Sequence, residues 1–257
     1  MKKRIIPSIL LRGGTNVSIS QQFIPWRTVG ALAQQLRLHI RRQCDELLII
    51  NLDLAGSSGY VSPERLLSLV RQEVDIPIAY AGGIRSSEDA ASCINAGFDK
   101  IYMTAGFLDD NQTVAAVSSV IGSQSVGVCL PYRRADSKSI PMIWDYRLSA
   151  ISQYMNLLDA IESAIESGAG EILLYDVDRD GSLQGLDIAV AADMDKHNFS
   201  IPVLLAGGAG TPEHFSEALS RRVIQGVVAG TIFSLTQATP STIRAHCEQS
   251  GIPMRRP

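Results

Sequence analysis

Short runs of β-branched and aliphatic residues recur along this chain, separated by stretches whose apolar positions return with helical spacing. The runs predict strands at Arg4–Leu10, Glu46–Asp53, Ile76–Ala81, Lys100–Thr104, Ser125–Leu130, Glu171–Asp176, Ile201–Leu205 and Gly226–Ala229. The spaced stretches predict helices at Trp26–Arg42, Pro63–Arg71, Ser87–Ala96, Asn111–Val120, Asn156–Ser167, Leu186–His197, Pro212–Ser220 and Ser241–Ser250. Eight apolar strands alternating with eight helices predict an α/β fold, a (βα)₈ TIM barrel. No linker or low-complexity stretch divides the chain, so one domain over 1–257 is expected. The one long irregular segment, Tyr132–Ser149, follows the fifth strand and is expected to overhang the barrel mouth.

An internal repeat sharpens this picture. Ala81-Gly82-Gly83-Ile84-Arg85-Ser86-Ser87-Glu88 returns 125 positions later as Ala206-Gly207-Gly208-Ala209-Gly210-Thr211-Pro212-Glu213. The same offset lays Glu46-Leu47-Leu48-Ile49 on Glu171-Ile172-Leu173-Leu174, Asp53 on Asp178, and Gly56-Ser57 on Gly181-Ser182. Two strand–loop segments matching at one offset without a gap imply two equivalent half-barrels, about 1–122 and 123–257. A twofold barrel of this kind is expected to carry two related ligand positions on opposite sides of its mouth.

Composition narrows the function. Hydrophobic residues make up 46% of 257 and charged residues 19%, enough apolar surface for one large core. A net charge of −3 argues against nucleic acid as a partner. The longest apolar runs, such as Ile201–Ala206 and Val126–Pro131, have strand length rather than membrane-span length. Met1-Lys2-Lys3-Arg4 resembles the start of a signal peptide, but Arg12-Gly13-Gly14 interrupts the apolar stretch behind it, so a cytoplasmic protein is expected. Cys44, Cys93, Cys129 and Cys247 lack CxxC spacing and read as buried free thiols.

Glycine pairs directly after a strand leave backbone N–H groups at a helix N-terminus, where phosphate fits. Gly82-Gly83 and Gly207-Gly208 supply one such turn per half, Gly230-Thr231 completes a pocket after the eighth strand, and Thr104 ends the fourth. A phosphorylated small molecule is the expected ligand. Asp176-Val177-Asp178-Arg179-Asp180-Gly181 has the beginnings of a calcium loop, but its twelfth position is Asp187 and a strand precedes it. No metal or cofactor is expected; at a strand end, Asp176 and Asp180 are expected to face a ligand. Four charged residues open the first, second, fourth and sixth strands: Arg4, Glu46, Lys100 and Glu171. They read either as ordinary surface ion pairs or as a ring closing the barrel floor.

Six segments identify a family: Arg4-Ile5-Ile6-Pro7, Asp45-Glu46-Leu47, Gly82-Gly83-Ile84-Arg85-Ser86, Gly170-Glu171-Ile172-Leu173-Leu174, Asp178-Arg179-Asp180-Gly181 and Gly207-Gly208-Ala209-Gly210. With the terminal Gly251-Ile252-Pro253, they resemble the HisF-type cyclase subunit of imidazole glycerol phosphate synthase over essentially the whole chain. The resemblance implies a HisH-like glutaminase docked under the barrel and ammonia crossing its core to a doubly phosphorylated substrate. It implies that Arg4, Glu46, Lys100 and Glu171 form the ammonia gate. It also implies that Gly83, Thr104, Asp180, Gly181, Gly208, Gly230 and Thr231 hold phosphate.

The family's chemistry does not carry over. Its two acid/base aspartates end strands one and five, where this chain has Leu10 in Ile6-Pro7-Ser8-Ile9-Leu10 and Pro131 in Leu130-Pro131-Tyr132-Arg133. The family's mobile first loop brings a lysine, yet Thr15–Gln22 has none, with Ile19 nearest in position. Relatives with leucine at the first position belong to bacterial surface-polysaccharide loci. There the barrel and its glutaminase feed ammonia to an ATP-dependent sugar amidotransferase. The expected function is that of a barrel subunit that docks a glutaminase and channels ammonia, for amidation of an envelope (O-antigen) sugar in lipopolysaccharide biosynthesis. The alternatives are a true cyclase subunit of histidine biosynthesis with relocated catalytic groups, and another phosphosugar isomerase or lyase using Asp176 or Asp180 as base.

Overall fold

The computed structural model describes residues 2–136 and 139–256, so Met1, Ser137, Lys138 and Pro257 lie outside the described residues. The barrel is built from eight strands: Arg4–Leu11, Leu47–Asn51, Ile78–Ala81, Lys100–Met103, Val126–Arg133, Glu171–Asp176, Val203–Ala206 and Ile224–Ala229. Each pairs in parallel with the next, and the eighth returns to the first through Arg4↔Gly226 to Pro7↔Ala229. This is the closed (βα)₈ barrel that the alternating pattern predicts.

Strand starts shift inward where a proline intervenes: Pro77 and Pro202 have no N–H for the ladder, so the third and seventh strands begin at Ile78 and Val203. Ile6, Leu48, Tyr102, Cys129, Leu173 and Val228 point inward and fill the barrel. The alternate residues, among them Ile5, Ile9, Leu47, Ile49, Leu130 and Ile172, pack outward against the helices in a larger core. Helix starts are capped by side chains: Ser62 accepts from the Arg65 N–H at 3.4 Å, Ser86 from Asp89 at 3.1 Å, and Asp187 from Val190 at 3.0 Å. Each cap is worth about 1 kcal/mol. Among the described residues, no helix is long and apolar enough to cross a membrane.

Two hairpins at the mouth correct the sequence reading. The helix expected over Trp26–Arg42 is helical only at Leu32–Arg41; Trp26 lies on a strand, Ile24–Ala31, paired antiparallel with Asn16–Gln21. Val17 and Ile19 alternate with Ser18 and Ser20, a strand's period, and β-branched Thr28 and Val29 with Pro25 oppose helix in the partner. The turn escapes detection because Gln22 (φ 49°) and Phe23 (φ 67°) take the left-handed positions that hairpins usually give to glycine or asparagine. The segment Tyr132–Ser149 is likewise not irregular throughout: Tyr132 and Arg133 continue the fifth strand, and Met142–Asp145 pairs with it and with Ala150–Asn156. It does overhang the mouth, through Tyr146 and Arg147.

Candidate functional site

Both ends of the barrel axis carry polar structure. At the floor, Arg4 links the two glutamates predicted to share a ring with it: its Nη1 lies 3.3 Å from Glu46, and its Nη2 donates to Glu171. Lys100 Nζ reaches Glu171 at 2.6 Å, so the sequence-predicted four form a chain Glu46–Arg4–Glu171–Lys100. Arg255, which sequence reasoning missed, caps the free end by pairing with Glu46 at 3.3 Å. It arrives there because the C-terminal segment adds alongside Lys3, through Arg255 N–H to the Lys3 carbonyl at 2.8 Å. Glu171 is 1% exposed. Burial alone would push its carboxyl up, but Arg4 and Lys100 outweigh that and hold it below the ordinary carboxylate range.

Tyr102, two residues along the strand from Lys100, stands directly over this network. Its hydroxyl donates to Glu171 at 2.5 Å, and its ring closes on Gly127, where a Cβ would sit 2.4 Å from two ring carbons. Burial and the neighbouring Glu171 carboxylate push the Tyr102 phenol well above its usual range. The same side chain forms part of the floor of the mouth cavity, so one residue connects the two ends. A tyrosine in an apolar strand gives no sequence signal of this role, because the glycine and glutamate it meets come from the fifth and sixth strands.

The mouth cavity has a volume of about 330 Å³. Its lining combines Gly82, Gly83, Thr104, Arg85 and Arg147 with the apolar Leu10, Leu48, Leu173, Tyr175 and Phe23. Arg147 pairs with Asp109 and with Asp145 at 2.6 Å, while Arg85 holds Asp109 loosely at 3.8 Å. Among the described residues, no Asp, Glu, His or Lys lines this cavity. Its titratable groups other than arginine are Cys129, Tyr102, Tyr146 and Tyr175. Burial pushes the Cys129 thiol up to about 12 and all three phenols above their usual range. Leu10 faces the cavity; Pro131 shares the inward parity of Cys129 and lies opposite Tyr175 in the strand register.

The internal repeat is reproduced in local geometry. Asn51 Oδ1 accepts the Asp53 N–H at 3.1 Å, and its twin Asp176 accepts that of Asp178 at 3.0 Å. A Cβ at Gly82 would sit 2.4 Å from the Asn51 carbonyl, and one at Gly207 would sit 2.3 Å from that of Asp176. Asp53 accepts the N–H groups of Gly13 and Gly14 at 3.1 and 2.9 Å, as Asp178 accepts that of Arg134 at 3.3 Å.

The two halves nevertheless differ at the mouth. Gly83 borders the open cavity, whereas Gly208 is packed under Gly185 and Arg179. Asp180 is 5% exposed, and its carboxylate accepts from the Phe23 N–H at 2.9 Å and the Tyr175 hydroxyl at 2.8 Å. The tip of the N-terminal hairpin therefore sits on Asp180 and Gly181. Asp176 caps its own loop and pairs with Arg179 at 3.3 Å. Burial and neighbouring Asp187 raise its carboxyl to about 6. Neither aspartate lines the cavity. Gly230 and Thr231 border a separate space of about 30 Å³ between Ser8, Ser18 and His39, room for about two waters. Thus Gly82, Gly83 and Thr104 share the large cavity, and Gly181, Gly207, Gly208, Gly230 and Thr231 do not.

Fold and site together define a duplicated (βα)₈ barrel with an ion-paired floor and a cavity at the opposite, loop-bearing end. The profile of a family described as histidine biosynthesis protein matches residues 4–239, and the chain belongs to that family. It is 28% identical over 257 residues to the imidazole glycerol phosphate synthase subunit HisF of Streptococcus sanguinis, with 99% of each chain covered. The corresponding subunit of Streptococcus gordonii is also 28% identical over 257 residues. That of Maricaulis maris is 29% identical over 261, both again with 99% of each chain covered. Over its whole length the chain is similar to these HisF subunits.

Proposed function

We propose that this barrel docks a HisH-like glutaminase at its floor and passes ammonia along its axis to an ATP-dependent sugar amidotransferase acting on a bacterial envelope sugar. The observation that carries the reading is the pairing of an intact charged floor with a mouth cavity whose described lining holds no carboxylate, imidazole or amine. General acid/base catalysis contributes roughly 10²–10⁴-fold per positioned group. Leu10 and Pro131 provide none, and the remaining thiol and phenols hold their protons at neutral pH. The relatives are named as subunits of a synthase, which supports a working partner for this chain as well. A layer of buried charge costs desolvation energy that an apolar layer would not, so its retention points to use rather than stability. Ammonia, small and neutral at the moment of transfer, is suited to such a layer.

Full-length similarity to HisF subunits favours one other reading, a cyclase with relocated catalytic groups. The two readings separate in a single assay of the purified chain with the doubly phosphorylated substrate of the cyclase and excess ammonium. The conduit reading expects no imidazole glycerol phosphate; turnover within tenfold of about 10 s⁻¹, a typical enzyme's rate, would contradict it. Leu10→Asp with Pro131→Asp is expected to restore measurable cyclisation if the substrate still binds. A phosphosugar isomerase or lyase using Asp176 or Asp180 would need those carboxylates released from their present hydrogen bonds.

A further inference from the structure

Nine large hydrophobic side chains stand exposed among the described residues, and seven of them lie on the connections that leave the first, second and fifth barrel strands at the mouth. Ile24 and Trp26, 66% and 50% exposed, are on the N-terminal hairpin; Leu52 and Leu54 follow the second strand. Tyr146 and Leu148, the latter 74% exposed, sit at the turn of the second hairpin. The three segments form one face. Asp53 ties the second connection to the first by accepting the Gly13 and Gly14 N–H groups, and the Phe23 and Tyr146 rings, 5.9 Å apart, join the two hairpins. The mouth cavity opens within this face, bordered by Phe23, Pro25, Leu52, Leu54 and Tyr146. The six exposed residues present on the order of 600 Å² of apolar surface, the upper end of what a monomer leaves uncovered. One partner contributes about 800 Å² to a standard protein–protein interface, so this face with its polar border is large enough for one.

The charges at its border select what covers it. Between Arg12 and Ala31 the charged residues are Arg12 and Arg27, both exposed and, among the described residues, without an ion pair. Arg85 is held only loosely, 3.8 Å from Asp109, while Asp145 on the second hairpin is already engaged by Arg147 at 2.6 Å. The unpaired charge of the N-terminal hairpin is therefore cationic. A second copy of this chain would bring that surplus against itself across a twofold contact, whereas carboxylates on a different protein would pair with it. Ammonia that reaches open water at neutral pH takes up a proton and is no longer a nucleophile, so the cavity can deliver it only while a protein covers the opening. Resting on the conduit reading, we infer that the two hairpins and the Leu52–Leu54 loop are the docking surface for the ammonia-consuming enzyme. That enzyme presents an apolar surface bordered by acidic residues and closes the mouth cavity into a chamber shared by the two proteins. The described lining needs no acid or base, because amidation is completed on the partner's side.

Association of the purified sugar amidotransferase with the preformed barrel–glutaminase complex, followed by analytical ultracentrifugation, tests the surface. Trp26→Ser with Leu148→Ser removes two exposed side chains that do not line the cavity and is expected to weaken association at least about tenfold. Arg27→Glu is expected to weaken it several-fold and to flatten the salt dependence that the wild type shows. Both variants are expected to bind the glutaminase as the wild type does, which reports an intact barrel, and to lower glutamine-driven amidation while ammonium-driven amidation holds. If the double variant fails to bind the glutaminase, Arg27→Glu and the wild-type salt dependence decide. Wild-type association in both variants, no association of the wild-type complex at micromolar concentration, or self-association of the barrel through these residues in place of the amidotransferase would each overturn it. The floor variants Lys100→Met and Glu171→Leu keep this surface separate from the conduit. A changed glutamine-to-ammonium ratio in them, with mouth variants that associate normally, would sink the docking surface alone. An unchanged ratio with impaired association of the mouth variants would sink the conduit and leave the docking surface standing.

Discussion

Residue Asp176 shows what the second half gave up when its loop closed. Its twin Asn51 makes the same turn with a neutral amide, accepting the N–H two residues on at 3.1 Å against 3.0 Å for Asp176. The aspartate adds charge without access to the cavity, and burial with nearby Asp187 raises its carboxyl to about 6 from an ordinary 3.8. A folded-state pKa above the unfolded value means that the native chain binds the proton more readily. This contribution to stability is full below about pH 4 and is lost as pH rises through about 6. Asp176→Asn is therefore expected to stabilise the protein at pH 7 by roughly 1–3 kcal/mol, the opposing pull of Arg179 being already contained in the raised pKa, and to lose its advantage below about pH 4. Urea unfolding at both pH values checks this; a destabilised variant at pH 7 would mean that the Arg179 pair dominates. The spacing that put Asp176 and Asp180 at a strand end was legible in the sequence, but their orientation was not. That orientation depends on Phe23, Tyr175 and Arg179, and for Asp180 the decisive donor is more than a hundred positions away.

Among the elements, the N-terminal hairpin has most influence on the site. Its tip covers Gly181, where φ is 73° and an added Cβ would lie 2.2 Å from the Ser20 carbonyl oxygen, so there is no space for a side chain. Gly181→Ala is expected to cost more than about 1 kcal/mol and to loosen the hairpin, because both the backbone angle and the contact oppose it. Gly56→Ala, at its twin, meets only the angular cost of φ 84°, about 1 kcal/mol. Comparing the two by chemical denaturation, with limited proteolysis near Phe23 as a local readout, tests whether the hairpin is held where the structure has it. Equal effects with no change in proteolysis would show that it is not. The eight barrel strands and the repeat were readable because strand period, glycine pairs and capping residues are local signals. The hairpin was not, since its turn uses Gln22 and Phe23 and its second strand runs without a break into a helix at Leu32. Tyr102 and Arg255 were equally hidden: their roles exist only across strands that closure of the barrel brings together.

At the scale of the whole molecule, two ends of one axis carry the account. The floor keeps buried opposite charges in contact, Glu46–Arg4–Glu171–Lys100 with Arg255 at the end, and the mouth keeps a cavity without acid or base in its described lining. Tyr102 joins them, bonded to Glu171 below and exposed to the cavity above. The direct measurement is product formation from glutamine against product formation from ammonium in the reconstituted complex of barrel, glutaminase and sugar amidotransferase. Lys100→Met, at a side chain 19% exposed, and Glu171→Leu are the variants to compare with the wild type. The account predicts that both lower the glutamine-driven rate while the ammonium-driven rate holds, because external ammonium reaches the acceptor without crossing the floor. A ratio unchanged across both variants would contradict it.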